Sequence, residues 1–189
     1  MRGDEYTKMW VESNGGPLVA VPQQDLSLWR SAPEDPDADD SSGWGDYGRA
    51  CEVGDYLGIL PLAHSEALVF GEVPDPTTFL QERSVFVRWE GANSEAALLG
   101  SVDAALSMAS WQSEVRWNVP GPVVLFDSAY PGADVFAHLA DEHLVIDLAP
   151  GCYSVRHASV EPDDDTMIGL VQLDLLSGRP TEPPGREGP

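Results

Sequence analysis

Two proline-led apolar runs recur in matching contexts in the two halves of the chain, and this recurrence constrains the fold most. Trp10 leads to Gly16-Pro17-Leu18-Val19-Ala20-Val21, and Trp117 leads to Gly121-Pro122-Val123-Val124-Leu125-Phe126. A proline-started short helix is expected after each, at Pro22 and at Pro131, because proline suits the first helical position. Tyr56-Leu57-Gly58-Ile59-Leu60-Pro61-Leu62 then parallels His143-Leu144-Val145-Ile146-Asp147-Leu148, and each is followed by a turn and another strand. A proline-acid turn comes next, at Glu72-Val73-Pro74-Asp75 and at Glu161-Pro162-Asp163, and Val85-Phe86-Val87-Arg88-Trp89 and Leu170-Val171-Gln172-Leu173 close the halves. The pattern predicts an α+β protein of two similar β-rich halves, each β-β-α-β-β-β and about ten strands in all, duplicated internally and linked by one longer helix. Two sheets meeting around one core is the natural outcome.

The halves span residues 9–92 and 111–176, with the linking helix within 93–110, all in one globular domain. Strands are expected at 9–13, 17–21, 56–62, 67–71, 84–90, 113–119, 122–126, 144–148, 152–160 and 167–175. In 152–160, Tyr153 and Val155 alternate with Ser154 and Arg156, which is the period of a half-buried strand. The helix over 94–108 has Asn93 or Ser94 as its cap and Glu95 at its positive end. Leu98, Leu99, Val102 and Leu106 form its apolar stripe. In the short helices, Leu26 and Trp29, and Val135, Phe136 and Leu139, are expected to point inward. Residues 1–8 read as a polar lead-in. Residues 33–46 carry six acids, two prolines and no base, and read as a mobile acidic loop; residues 177–189, with four Pro and three Gly, read as a disordered tail.

Charge decides which partners are open to such a chain. Its 32 acidic residues outnumber ten basic ones, giving a net charge of −22 and a pI near 4.1. Nucleic-acid binding runs on cationic release of counterions, so this balance argues against it, and equally against an anionic membrane. A basic protein surface is the favoured partner. No stretch is apolar enough to span a membrane, and the first residues lack the apolar core of a signal peptide. Cys51 and Cys152 form no motif and read as reduced thiols of a cytoplasmic protein, one or both buried.

The motifs that suggest chemistry dissolve on inspection. Gly43-Trp44-Gly45-Asp46-Tyr47-Gly48 has dinucleotide-loop glycine spacing, but an acidic loop precedes it where a buried strand is needed, and Asp46 would repel pyrophosphate. Asp35, Asp37, Asp39 and Asp46 faintly resemble a calcium loop, but Asp40 stands where the turn glycine belongs, and Pro33 and Pro36 deny an entering helix. His138 and His143 are five apart, which does not put them on one helical face. Ser128 lacks the glycines of a nucleophile elbow, and Asp127-Ser128 reads as a helix cap. Cys51 has Arg49 nearby, but Asp46, Glu52 and Asp55 oppose thiolate formation. Hence no catalytic residue, metal site or cofactor is expected.

Two acidic clusters remain, one comprising Asp35, Asp37, Asp39, Asp40 and Asp46, the other Asp163, Asp164 and Asp165 after Glu161-Pro162. Paired on one face they would attract an Arg/Lys-rich surface and orient it, with Trp44 and Tyr47 as aromatic anchors. The other tryptophans sit in strand or helix patterns and read as core.

Several segments resemble the immunity protein 21 family of bacterial polymorphic toxin systems. They are Trp10-Val11-Glu12-Ser13-Asn14-Gly15-Gly16-Pro17-Leu18, Asp46-Tyr47-Gly48-Arg49-Ala50-Cys51, Asp55-Tyr56-Leu57-Gly58, Gly121 to Ala129, Pro150-Gly151-Cys152-Tyr153 and Glu161-Pro162-Asp163. The resemblance spans roughly residues 9–175, and its motifs are turns and strand starts that mark no site. It implies an α+β protein that binds and neutralises a cognate toxin, here by occlusion, in the producing cell. Residues 33–43 look like an insertion relative to the family pattern, so no family-wide role carries over to the acidic loop. The alternatives are a regulatory or ligand-binding module and a small carboxylate-dependent enzyme. A pocket of convergent carboxylates with raised pKa values would mark the enzyme.

Overall fold

The computed structural model describes residues 9–31, 44–71, 73–139 and 142–177. Ten strands form two antiparallel five-stranded sheets. Sheet one contains β1 (Leu18–Pro22), β2 (Leu57–Pro61), β3 (Glu66–Phe70), β7 (Val123–Asp127) and β8 (His143–Ile146), in the order β2-β3-β1-β7-β8. Sheet two contains β4 (Thr77–Leu80), β5 (Val85–Gly91), β6 (Gln112–Val119), β9 (Gly151–Asp163) and β10 (Thr166–Ser177), in the order β4-β5-β10-β9-β6. Each sheet therefore takes strands from both halves of the sequence.

The sheets pack face to face. Leu18, Ala20, Leu68, Phe70 and Leu125 of sheet one meet Phe86, Trp117, Tyr153, Val155 and Val171 of sheet two. Both outer faces are covered as well. Val19, Val21, Val69, Val124 and Phe126 lie under Leu26, Trp29, Ala50, Val135 and Leu139, which come from short helices and the turns beside them. Across the sandwich, Val85, Val87, Ala158 and Leu170 lie under Leu98, Val102 and Ala105. Burial on both faces explains why β1, and β7 up to its terminal Asp127, are apolar instead of alternating. Each fully buried aliphatic or aromatic side chain here stabilises the fold by about 1.5–3 kcal/mol.

Both expected proline-started turns form. A 3-10 helix over Gln23–Leu28 follows Pro22, and a 3-10 turn over Gly132–Asp134 leads into α4 (Val135–His138). They pack on each other, with the Gly132 N–H donating to the Trp29 carbonyl at 3.1 Å. Leu26, Trp29, Val135 and Leu139 are buried as expected, whereas Phe136 is half exposed; neither cysteine is buried, Cys51 being exposed at the end of its helix and Cys152 half-buried at the start of β9. Asp127 does not cap that helix: it accepts from the Asn14 and Ala129 N–H groups and holds the turn after β7 against the first loop.

Three expectations are corrected. The helix over 94–108 is divided into α2 (Glu95–Gly100), capped by the Ser94 hydroxyl, and α3 (Val102–Met108). Ser101 separates them, its hydroxyl donating back to the Ala97 carbonyl, a bond that competes with regular helix. The strand expected at 9–13 reduces to one bridge, Val11 to Thr77, while β4 supplies an unforeseen strand. Finally, the strand order does not set β2 against β8. Read outward from the central β5–β10 pair, the bridge at Val11 and β4 stand opposite β6 and β9; around the β1–β7 pair, β3 stands opposite β8. The positional counterpart of β8 is thus β3, not β2, and β2 flanks β3 with no counterpart among the described residues. The lead-in 1–8, residues 33–43 of the expected acidic loop and the tail from 178 lie outside the described residues; the loop's last residues are described and are not loop, because Gly45 and Asp46 begin the helix Gly45–Cys51.

Candidate functional site

Asp35, Asp37, Asp39 and Asp40 lie outside the described residues. Trp44 and Tyr47 flank the start of α1 (Gly45–Cys51), their rings stacked at 5.8 Å, and both are half-buried. Tyr47 packs so closely on the chain at Gly16 that a Cβ there would lie 2.7 Å from its ring. Asp46 faces inward. It accepts from the Arg30 N–H at 2.9 Å and from the Arg49 guanidinium at 2.8 Å, with 8% of its side chain exposed. Its charge is spent on holding α1 to the chain at Arg30. Asp163, Asp164 and Asp165 are exposed at the β9–β10 turn, beside exposed Glu161. Asp163 also accepts from Ser101 at 3.4 Å, between α2 and α3. Among the described residues, Asp46 with Trp44 and Tyr47 and the turn of Asp163 to Asp165 therefore belong to opposite outer layers, α1 over sheet one and the turn beside the helices of sheet two.

The other chemical motifs are structural. Ser128 is buried, donates to the Pro17 carbonyl and presents its own carbonyl to the Trp29 indole. Asp25, His64 and Ser65 converge, yet the Ser65 hydroxyl donates to Asp25 at 2.7 Å and the His64 imidazole contacts the same carboxylate at 3.3 Å. Both groups serve the buried Asp25 and anchor the β2–β3 hairpin. Among the described residues, no three His, Cys, Asp or Glu side chains gather as a metal site, and no helix is long and apolar enough to cross a membrane.

The most developed polar site was not expected from the sequence. It lies where the inner face of sheet two runs on past the interior apolar cluster. Alternation along β5 puts Arg88 and Glu90 on the same face as Phe86, and alternation along β9 puts His157 and Ser159 on the face of Val155. Register places Arg88, Gly169 and Ser159 side by side across three strands. Tyr56, just before β2, closes over them. Its ring stacks on His157 at 4.2 Å and 9°, and the Arg88 guanidinium lies 4.6 Å from the ring centre. Gly169 gives the clearance: a Cβ there would lie 2.5 Å from the Tyr56 hydroxyl and 2.6 Å from Glu90 Oε1.

Charge inside this site is only partly balanced. Arg88 is completely buried, faces Asp75 at 3.7 Å and donates to the Val73 carbonyl. Its Nε and Nη1 find no hydrogen-bond partner among the described residues. Burial raises the pKa of Asp75, and the nearby guanidinium opposes that rise. Burial also raises the pKa of Tyr56, so the phenol stays protonated and donates to Glu90 at 3.2 Å. The other Glu90 oxygen accepts from the Ser159 hydroxyl at 2.5 Å. No ion pair among the described residues includes Glu90. Asp75, Glu90, Tyr56, His157, Ser159 and Met167 are among the residues around an open cavity of about 500 Å³. Met167 also borders a second depression of about 370 Å³, lined by Glu161, Asp163, Asp164 and Asp165. The acidic turn and the cavity thus adjoin.

The family model for immunity protein 21 matches residues 9–166. The chain belongs to that family. Comparison with curated proteins and comparison with solved structures returned no match. Membership makes this immunity protein a partner of a toxin and implies a role other than catalysis. The immunity protein 21 motifs legible in the sequence map onto the scaffold: Gly121 to Ala129 covers β7 and the turn after it, and Pro150 to Tyr153 starts β9. The cavity draws on residues distant in sequence. Arg88 and Glu90 at inward positions of an otherwise apolar strand were its one visible signal.

Proposed function

We propose that this immunity protein neutralises its cognate toxin by binding it directly and covering its working surface, with acidic charge guiding the encounter. The observation that carries this reading is the exposed turn of Glu161, Asp163, Asp164 and Asp165 on a family member whose net charge is −22. A field of that sign draws in a basic partner and orients it before contact. Asp35, Asp37, Asp39 and Asp40 would add to that field, and Trp44 and Tyr47 would give a second, aromatic contact on the α1 side. Asp46 contributes to that surface by fixing α1 and not by touching the partner. Function in the cytoplasm of the toxin-producing cell follows from this role.

Association kinetics with the purified toxin domain test the reading. One-to-one binding is expected, with an association rate that falls as salt rises from low to physiological strength, because screening shortens the reach of the acidic field. A rate indifferent to salt removes the steering; absence of a complex removes the function. A second reading, a carboxylate-dependent enzyme, draws on the raised pKa of Asp75 beside Glu90. It requires turnover that Asp75→Asn abolishes, whereas the binding role requires none.

A further inference from the structure

Two carboxylates, Asp75 and Glu90, line the cavity, and one guanidinium, that of Arg88, lies beneath them. Arg88 is fully buried and balances Asp75. Glu90 comes two residues later on the same face, half-buried and fixed by the hydroxyls of Tyr56 and Ser159. Two neutral donors orient this carboxylate without cancelling its charge, so it is positioned before any partner arrives. A positioned, partly desolvated carboxylate is where a charge-assisted hydrogen bond from an incoming cation gains most. The surroundings suit the stem of such a cation. Tyr56 and His157 give stacked ring surface, and Met167 gives an exposed, polarisable rim. Beyond Met167 the acidic turn extends the negative potential outward.

Resting on the toxin-binding reading, we propose that this cavity is the anchor of the interface and receives one arginine or lysine side chain of the toxin, with Glu90 as its counter-charge. The acidic turn captures the partner and the cavity holds it. That division assigns different kinetic effects to the two regions: loss of turn charge slows association, whereas loss of the Glu90 charge speeds dissociation.

The test measures rate constants for the full-length protein and the purified toxin domain. Glu90→Gln keeps the side chain's size and removes its charge; affinity is expected to fall about 30-fold or more, carried by dissociation. Met167→Arg, at an exposed position, places a cation of the protein's own at the rim and is expected to weaken binding comparably with no change in melting temperature. Neutralising Asp163, Asp164 and Asp165 together is expected to lower the association rate and its salt dependence. Charge-removing variants of the toxin's Arg and Lys should include one whose effect is non-additive with Glu90→Gln. Wild-type binding together with Glu90→Gln and Met167→Arg proteins that are folded and within twofold of wild-type affinity overturns the anchor and leaves the toxin-binding reading standing. Failure of the wild-type protein to bind overturns both.

Discussion

Gly169→Ala is the sharpest structural perturbation of the cavity. The added methyl would sit 2.5 Å from the Tyr56 hydroxyl, 2.6 Å from Glu90 Oε1 and 3.0 Å from Arg88 Cβ. Tyr56 cannot slide away easily, because His157 stacks on one side of its ring and Arg88 lies close to it as well. Glu90 can yield only by giving up its bond from Tyr56. Overpacking of this kind costs about 1–3 kcal/mol. A lost hydrogen bond to a charged group adds about 1.5–3 kcal/mol where it is fully broken. Against this, alanine in a strand recovers about 0.5–1 kcal/mol of backbone entropy relative to glycine. The net loss is at least about 1.5 kcal/mol where that bond breaks fully, and each kcal/mol lowers the melting temperature of a chain this size by roughly 2–4 °C. Thermal unfolding followed by circular dichroism reads this directly. Gly100→Ala is the control, because a Cβ at the end of α2 meets nothing within 4 Å. It is expected to be neutral or to stabilise by about 0.5–1 kcal/mol. A Gly169→Ala protein that melts at or above the wild-type temperature refutes the close packing of Tyr56 and Glu90 on β10.

Gly132→Ala places a Cβ 1.8 Å from the Leu26 carbonyl oxygen, a backbone atom that cannot rotate aside. A loss of at least about 3 kcal/mol is expected as a lower urea midpoint, and an unchanged midpoint contradicts the contact between the two proline-started turns. Ser94→Ala removes the hydroxyl that accepts from the Ala97 N–H and is expected to cost about 1 kcal/mol in the same assay. Because burial raises the pKa of Asp75, the folded protein holds that proton more tightly than the unfolded chain does. Stability contributed by this group is therefore full at low pH and falls as pH climbs from the ordinary aspartate range through the folded value. Asp75→Asn is expected to flatten that part of a stability–pH profile, and an unaltered slope counts against a desolvated carboxyl.

Patterns local in sequence were the legible part of this fold. The apolar runs of β1 and β7, the turns at Pro22 and Pro131 and the Ser94 cap each rest on a few neighbouring residues obeying a steric or hydrogen-bonding rule. β4 escaped because Thr77-Thr78-Phe79-Leu80 is short and follows two prolines, so no alternation had room to develop. α1 escaped because Gly45 and Gly48 disfavour helix; the fold supplies the stabilisation through Asp46, its salt bridge with Arg49 and the hydrogen bond it accepts from the Arg30 N–H. The halves were matched through Leu57 and Leu144 because both runs are apolar, and composition alone carries no information on which strand a run pairs with. The cavity was hidden for the same reason. Tyr56, Glu90, His157 and Gly169 meet only through the register of β5, β10 and β9, and the signal of Arg88 and Glu90 on an otherwise apolar strand says nothing about which residues they meet.

Titrating the toxin's activity against the purified protein tests the central claim most directly. Activity is expected to fall in proportion to added protein and to vanish at one equivalent, with no change in the covalent structure of either partner. Full toxin activity in the presence of a stoichiometric excess of folded protein would contradict the account.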